Sequence, residues 1–181
     1  NALSLALAAE ATFIARAIDV QVQHLGEVVR KAAQHKGISF VEIYQNCVIF
    51  NDGAFTNITD KNVREDRLLF LEHGKPMLFG AGRTKGIRLK DHLPEVVTIG
   101  KNGITEKDIL VHDEHATNPT IAYMLTRMEP PEFPVALGVF RSVLRPTYED
   151  LMVQQMEEVT AKRGKGDLSQ LLRGSETWEV K

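Results

Sequence analysis

Three consecutive stretches decide the fold: Thr12-Phe13-Ile14-Ala15-Arg16, then Val20 to Lys36, then Ile38-Ser39-Phe40-Val41-Glu42-Ile43-Tyr44. The first reads as a short strand. In the second, Val22, Leu25, Val28, Val29 and Ala32 recur at helical spacing, and Gly37 stands just past the end as a stop. The third is a second strand. Strand, helix and strand with short connections make a βαβ unit, whose crossover predicts a parallel sheet covered by helices.

Upstream, Leu3, Leu5, Ala6, Leu7, Ala9 and Ala11 predict a small apolar helix. The chain opens on Asn1 rather than methionine and enters that helix at once, so a missing upstream segment is expected. Beyond Asn51-Asp52-Gly53 the style changes to short strands and turns. Leu68 to Leu71, Met77 to Phe79 and Gly86 to Leu89, separated by His73-Gly74-Lys75-Pro76 and Gly80-Ala81-Gly82, predict a small meander that Val96 to Ile99 continues. Pro119 to Met128 reads as a helix closed by Pro130, Pro131 and Pro134, and Val135 to Arg141 as an apolar strand. Thr147 to Lys162 predicts an amphipathic helix, followed from Gly164 by a looser segment carrying Leu171, Leu172 and Trp178. The organisation expected is residues 1–50 as one region and 51–181 as a smaller α+β region.

Composition narrows the function classes. With 181 residues, 43% of them hydrophobic, the chain can bury a substantial core. A net charge of −2 with both signs interspersed offers no broad basic field, so neither nucleic acid nor an anionic membrane surface is an expected partner. No apolar run approaches the roughly 20 residues of a spanning helix, and the opening residues lack the basic region of a signal peptide. A cytoplasmic location is the expectation.

Several motifs reduce to ordinary structure. His112-Asp113-Glu114-His115 offers four potential ligands, but without the HExxH spacing that sets two imidazoles on one helical face. Gly80-Ala81-Gly82-Arg83-Thr84-Lys85-Gly86 is one residue out of step with GxGxxG and leads into a strand, so a hairpin turn is expected. His24 and His35 read as solvated. The cations of Lys162-Arg163-Gly164-Lys165 read as an exposed tail.

Cys47 is the exception. A lone cysteine is more often a small buried hydrophobe than a ligand. This one lies just past the carboxyl end of the second strand, among Gln45, Asn46, Asn51 and Asp52, where open parallel sheets bind ligands. A single cysteine forms no internal disulfide, and an iron–sulfur cluster needs three more thiolates than the chain contains. Burial, nucleophilic catalysis and metal ligation all remain open from the residues alone.

The run Glu42-Ile43-Tyr44-Gln45-Asn46-Cys47-Val48-Ile49-Phe50-Asn51-Asp52-Gly53, preceded by Asn1 to Leu7 and Ala11 to Arg16, resembles the β subunits of 2-oxoacid:ferredoxin oxidoreductases. Lys85 to Leu89, Val111-His112-Asp113 with Pro119 and Ala122, Gly138 to Arg141 and Arg145 to Tyr148 extend the resemblance along the chain. It implies a three-layer thiamine-diphosphate-binding fold, of which residues 1–50 are the end and 51–181 the C-terminal region. It also implies thiamine pyrophosphate, magnesium and a four-iron, four-sulfur cluster, with Cys47 as one of four thiolate ligands and the others upstream of Asn1. The amides around Asn46 to Phe50 are then expected donors to the cluster sulfurs. The implied reaction is oxidative decarboxylation of a 2-oxoacid with coenzyme A, electrons passing to ferredoxin and an α subunit completing the site. The tail from Leu171 to Trp178 is closest to the bacterial 2-oxoglutarate type. Two other classes compete: a docking module in which Cys47 is merely buried, and a thiamine-dependent subunit without a cluster.

Overall fold

A computed structural model describes residues 1–176, 178 and 180; Thr177, in the tail singled out above, lies outside them. The chain forms two compact units, Asn1–Arg145 and Pro146–Lys181.

The first unit begins with α1 (Ala2–Ala8), β1 (Phe13–Ile18), α2 (Val22–Gln34) and β2 (Ser39–Tyr44). β1 and β2 are parallel, in register from Phe13 opposite Ser39 to Ile18 opposite Tyr44, so the βαβ expectation holds. One-turn helices α3 (Thr56–Thr59) and α4 (Arg64–Arg67) lead to β3 (Leu68–Phe70). The strands β4 (Leu78–Phe79), β5 (Lys85–Lys90) and β6 (Leu93–Thr98) follow, then α5 (Thr120–Thr126) and β7 (Val135–Ser142).

β1's alternation places Phe13, Ala15 and Ala17 against Val28 of α2. Its opposite face sends Ile14 into the main core with Leu3 and Leu7 of α1 and Leu125 of α5. Helices therefore cover both faces, as a parallel pair requires. Each fully buried Leu or Ile here contributes roughly 1.5–3 kcal/mol of transfer free energy.

Two expectations are corrected. The main sheet has the order β2-β1-β7-β3 and is mixed rather than parallel. β3 runs parallel to β7, but β7 is antiparallel to β1, with a register shift between Ile14 and Ala15. β7 is central because Val135 to Arg141 are all buried, a property that sets position in a sheet but not direction. Leu68 to Leu71 does not join the meander either. Leu68 and Leu69 are both buried, and Leu71 N–H donates to Leu137 O at 2.8 Å. Successive side chains on opposite faces of a strand can both be buried only inside a covered sheet, so this short run is drawn to β7. The remaining β4-β5-β6 meander is antiparallel, with Gly80 to Arg83 as its first turn. The main sheet joins strands from either side of residue 50.

The second unit holds α6 (Tyr148–Arg163) and α7 (Leu168–Arg173). The first is capped by Thr147, whose hydroxyl accepts from Asp150 N–H; the second is capped by Asp167. The looser segment expected after Gly164 therefore contains a short helix. No residue of α6 or α7 is buried. Among the described residues no helix is long and apolar enough to cross a membrane.

Candidate functional site

The chain after β2 doubles back in a hook that presents Cys47. Tyr44 ends β2, and its ring stacks on Phe55 at 4.6 Å, clasping the base of the loop. Asn46 does most of the fastening. Its backbone N–H donates to Asp19 Oδ2 at the end of β1 (2.9 Å), its Nδ2 donates to Asp52 Oδ1 (2.9 Å), and its Oδ1 accepts from Gly53 N–H (2.9 Å). Gly53 has φ +76, a left-handed conformation that glycine adopts without a Cβ penalty. Inside the hook, Asn51 N–H donates to Cys47 O at 2.9 Å.

Cys47 is exposed, against its usual tendency to bury. Backbone hydrogen bonding from Phe50 and Ile49, and least from Asn51, holds the thiol below the ordinary cysteine range. Such a sulfur is predisposed to the thiolate form, the form that ligates metals and attacks electrophiles. Val48, Ile49 and Phe50 around it are exposed as well, Phe50 at 88%.

The expected location of Cys47, past the end of the second strand, is what the structure shows. The expectation around Asn46 to Phe50 was of amide donors to cluster sulfurs; the amides that act on the thiol itself are those of Phe50, Ile49 and, just past that run, Asn51. Among the described residues no group of three or more His, Cys, Asp or Glu side chains could hold a metal ion. Cys47 can offer a single thiolate, and its accessible sulfur fits one ligand position of a cluster. The His112 to His115 run is engaged by separate structural partners. Buried His112 donates Nε2–H to Val139 O at 2.7 Å, Glu114 reaches Lys31 at 3.4 Å, and His115 Nδ1 lies 2.7 Å from Ser142 O.

Two other readings change. His24 and His35 are half-buried rather than solvated, because α2 lies flat on the sheet. His24 sits edge-on to Phe70 and His35 bonds Thr12 Oγ1 at 2.8 Å; burial lowers the pKa of both. Arg16 went unremarked in the sequence, although an arginine between Ile14 and Ile18 in an apolar strand was the available signal. It is buried, pairs with Glu42 at 2.6 Å, and stacks on the rings of Tyr44 and Phe140. This pair sits directly behind the hook's base at Tyr44.

No protein-family profile matches the chain. It is 40% identical, over 183 aligned positions and 99% of its length, to 2-oxoglutarate oxidoreductase subunit KorB of Mycobacterium tuberculosis, covering 48% of that protein. It is 36% identical over 63 residues to the 2-oxoacid:ferredoxin oxidoreductase subunit beta of Saccharolobus solfataricus, which involves 35% of this chain and 21% of that one. Among solved structures it is similar to a 2-oxoglutarate:ferredoxin oxidoreductase from Magnetococcus marinus, solved with 2-oxoglutarate, coenzyme A and succinyl-CoA bound. That likeness has a TM-score of 0.59 at 18% identity over 98% of this chain and 45% of the other, and it shows the fold. The chain spans about half the length of the curated relative it matches end to end.

Proposed function

From a chain related along its whole length to a β subunit of the 2-oxoacid oxidoreductases, we propose a part of an enzyme that oxidatively decarboxylates a 2-oxoacid, 2-oxoglutarate in preference, to the acyl-CoA and carbon dioxide. Electrons leave through a four-iron, four-sulfur cluster to ferredoxin. The observation that carries this reading is the kinship along 99% of the chain to a 2-oxoglutarate oxidoreductase subunit, with Cys47 exposed as the one thiol of the chain.

In this reading Cys47 Sγ is one of four thiolates on the cluster, and the other three come from outside these residues. A cluster bound there supplies one-electron transfer. The hook's own contribution is electrostatic: N–H donors to a ligating sulfur stabilise its negative charge and raise the reduction potential of the metal it holds. Asn46, tied to both β1 and the hook, keeps those donors in place. Thiamine pyrophosphate and magnesium, an α subunit and a cytoplasmic location complete the proposal, with residues 1–50 as the end of the thiamine-binding domain and 51–181 as the C-terminal region. The 2-oxoglutarate preference rests on the names of the relatives.

The test is Cys47→Ala in the full-length subunit assembled with its α partner. Loss of iron and of ferredoxin-dependent turnover is expected. Unchanged iron content and turnover would leave Cys47 a structural residue and overturn the assignment.

A further inference from the structure

A continuous column of rings joins the buried cation of β1 to the base of the Cys47 hook. Arg16, only 3% exposed, lies with Cζ 5.6 Å from the centre of the Phe140 ring and 5.0 Å from that of Tyr44. Tyr44 in turn stacks on Phe55, with centroids 4.6 Å apart and planes inclined by 8°. Glu42, in register opposite Arg16 on β2, accepts from its Nε at 2.6 Å and fixes the guanidinium. The foot of the column, Phe140, is fully buried in β7. Its head grips both limbs of the hook, because Tyr44 leads into the hook and Phe55 leads out of it. β1 holds the entering limb again at Asp19, whose N–H donates to Tyr44 O (3.0 Å) and whose carboxylate accepts from Asn46 N–H (2.9 Å).

We propose that Arg16 is a positioning residue for Cys47, acting through the Tyr44 ring, so that the angle at which the hook presents its thiol is set from inside the sheet. The purpose of that control rests on the reading of Cys47 as a cluster ligand, since a ligand position requires a side chain held at a fixed angle. Stability alone does not account for the cation: apolar residues of similar volume in place of a buried ion pair are often as stable or more so. What a guanidinium adds is a flat charged plate that attracts the faces of two rings at once. The charge of Arg16 does not act on the sulfur itself, which responds to the backbone amides of Phe50, Ile49 and Asn51. The coupling is mechanical. Without the plate the Tyr44 ring is free to tilt, its stack on Phe55 loosens, the two limbs part, and the amides turn away from the thiol.

The experiment reads the thiol of the 181-residue chain, where Cys47 is the sole cysteine and is already exposed, so that access does not limit its alkylation. Iodoacetamide rates are measured against pH for the parent chain, for Arg16→Met combined with Glu42→Leu, which leaves no buried charge behind, and for Tyr44→Leu and Tyr44→Phe. In the double variant and in Tyr44→Leu the alkylation midpoint should move up and the rate at neutral pH should fall about twofold or more. The Asn51 amide, bonded to Cys47 O in the closed hook, should exchange its hydrogen about fivefold faster in both. Tyr44→Phe keeps the stack and should match the parent. Arg16→Lys keeps the charge beside Glu42 and loses the plate; it should move the profile in the same direction, and it decides the matter if the double variant does not fold. A core role alone would lower the urea midpoint and leave the pH profile in place. An unchanged profile in the Arg16 variants or in Tyr44→Leu, or a Tyr44→Phe chain displaced as far as Tyr44→Leu, would overturn the proposal. No iron is involved, so failure here leaves the ligand role of Cys47 to its own test.

Discussion

Replacing Asn46 by Ala tests whether the hook sets the chemistry of Cys47. The substitution removes two side-chain hydrogen bonds at 2.9 Å, the one from Nδ2 to Asp52 and the one from Gly53 N–H to Oδ1; the backbone bond to Asp19 stays. All are exposed, so each is worth about 0.5–1 kcal/mol, the low end for protein hydrogen bonds. A loss of about 1–2 kcal/mol raises the population of the open hook by a factor of about 5–30. Opening turns the amides of Ile49, Phe50 and Asn51 away from the sulfur. The folded pKa of Cys47, held down by those amides, then rises toward that of a free thiol. The assay is the rate of iodoacetamide alkylation against pH. Intact, the chain should show its alkylation midpoint below that of a cysteine peptide; in Asn46→Ala the midpoint moves up and the rate near neutral pH falls. The same midpoint in both proteins would show that the hook does not tune the thiol. Global unfolding should lose no more than about 1–2 kcal/mol, because the loop's ends remain clasped by Tyr44 and Phe55.

Glu42→Ala leaves Arg16 buried between two rings without its carboxylate, and should cost about 2–4 kcal/mol in urea unfolding, somewhat below a fully buried pair because Glu42 keeps 23% of its side chain exposed. The double change Arg16→Met with Glu42→Leu should cost less than Glu42→Ala alone; an equal or larger loss would mean that the charge pair itself, rather than the orphaned charge, carries the stability. His112 gives a pH dependence of determined sign. Burial lowers its folded pKa below 6.5, against weaker opposing effects from the Val139 carbonyl, Glu114 and Asp113, so between the folded pKa and about 6.5 the unfolded chain binds the extra proton. Stability should therefore fall as pH drops below about 6.5, and His112→Gln, which cannot titrate, should flatten that slope in thermal melts at pH 5 to 7.

The βαβ unit was legible because the period of apolar residues switches between two distinct values along Thr12 to Tyr44. β3 was not, since three apolar residues carry no information about their partner until the buried β7 is in place to receive them. The direction of β7 was equally hidden: Val135 to Arg141 shows that a strand is fully covered, not which way it runs. The position of Cys47 followed from the end of β2, whereas the amides on its sulfur depend on a fold-back that only Asn46, Asp52 and Gly53 hint at. For Thr147 to Lys162 the helix was legible but its amphipathic character was not borne out: Gln155, Lys162 and Arg163 fall among the apolar side chains and no residue of the helix is buried.

The place of β7 in the main sheet has a consequence for how the chain is made. Phe13 of β1 pairs with Ser142 of β7, so the strand that fills the middle of the sheet leaves the ribosome long after the two strands it joins. At about 5–20 residues per second, β1 and β2 wait on the order of ten seconds with their inner edge open. During that interval the nascent sheet is a template for pairing with other chains, and a stop codon anywhere before residue 135 would leave it permanently so.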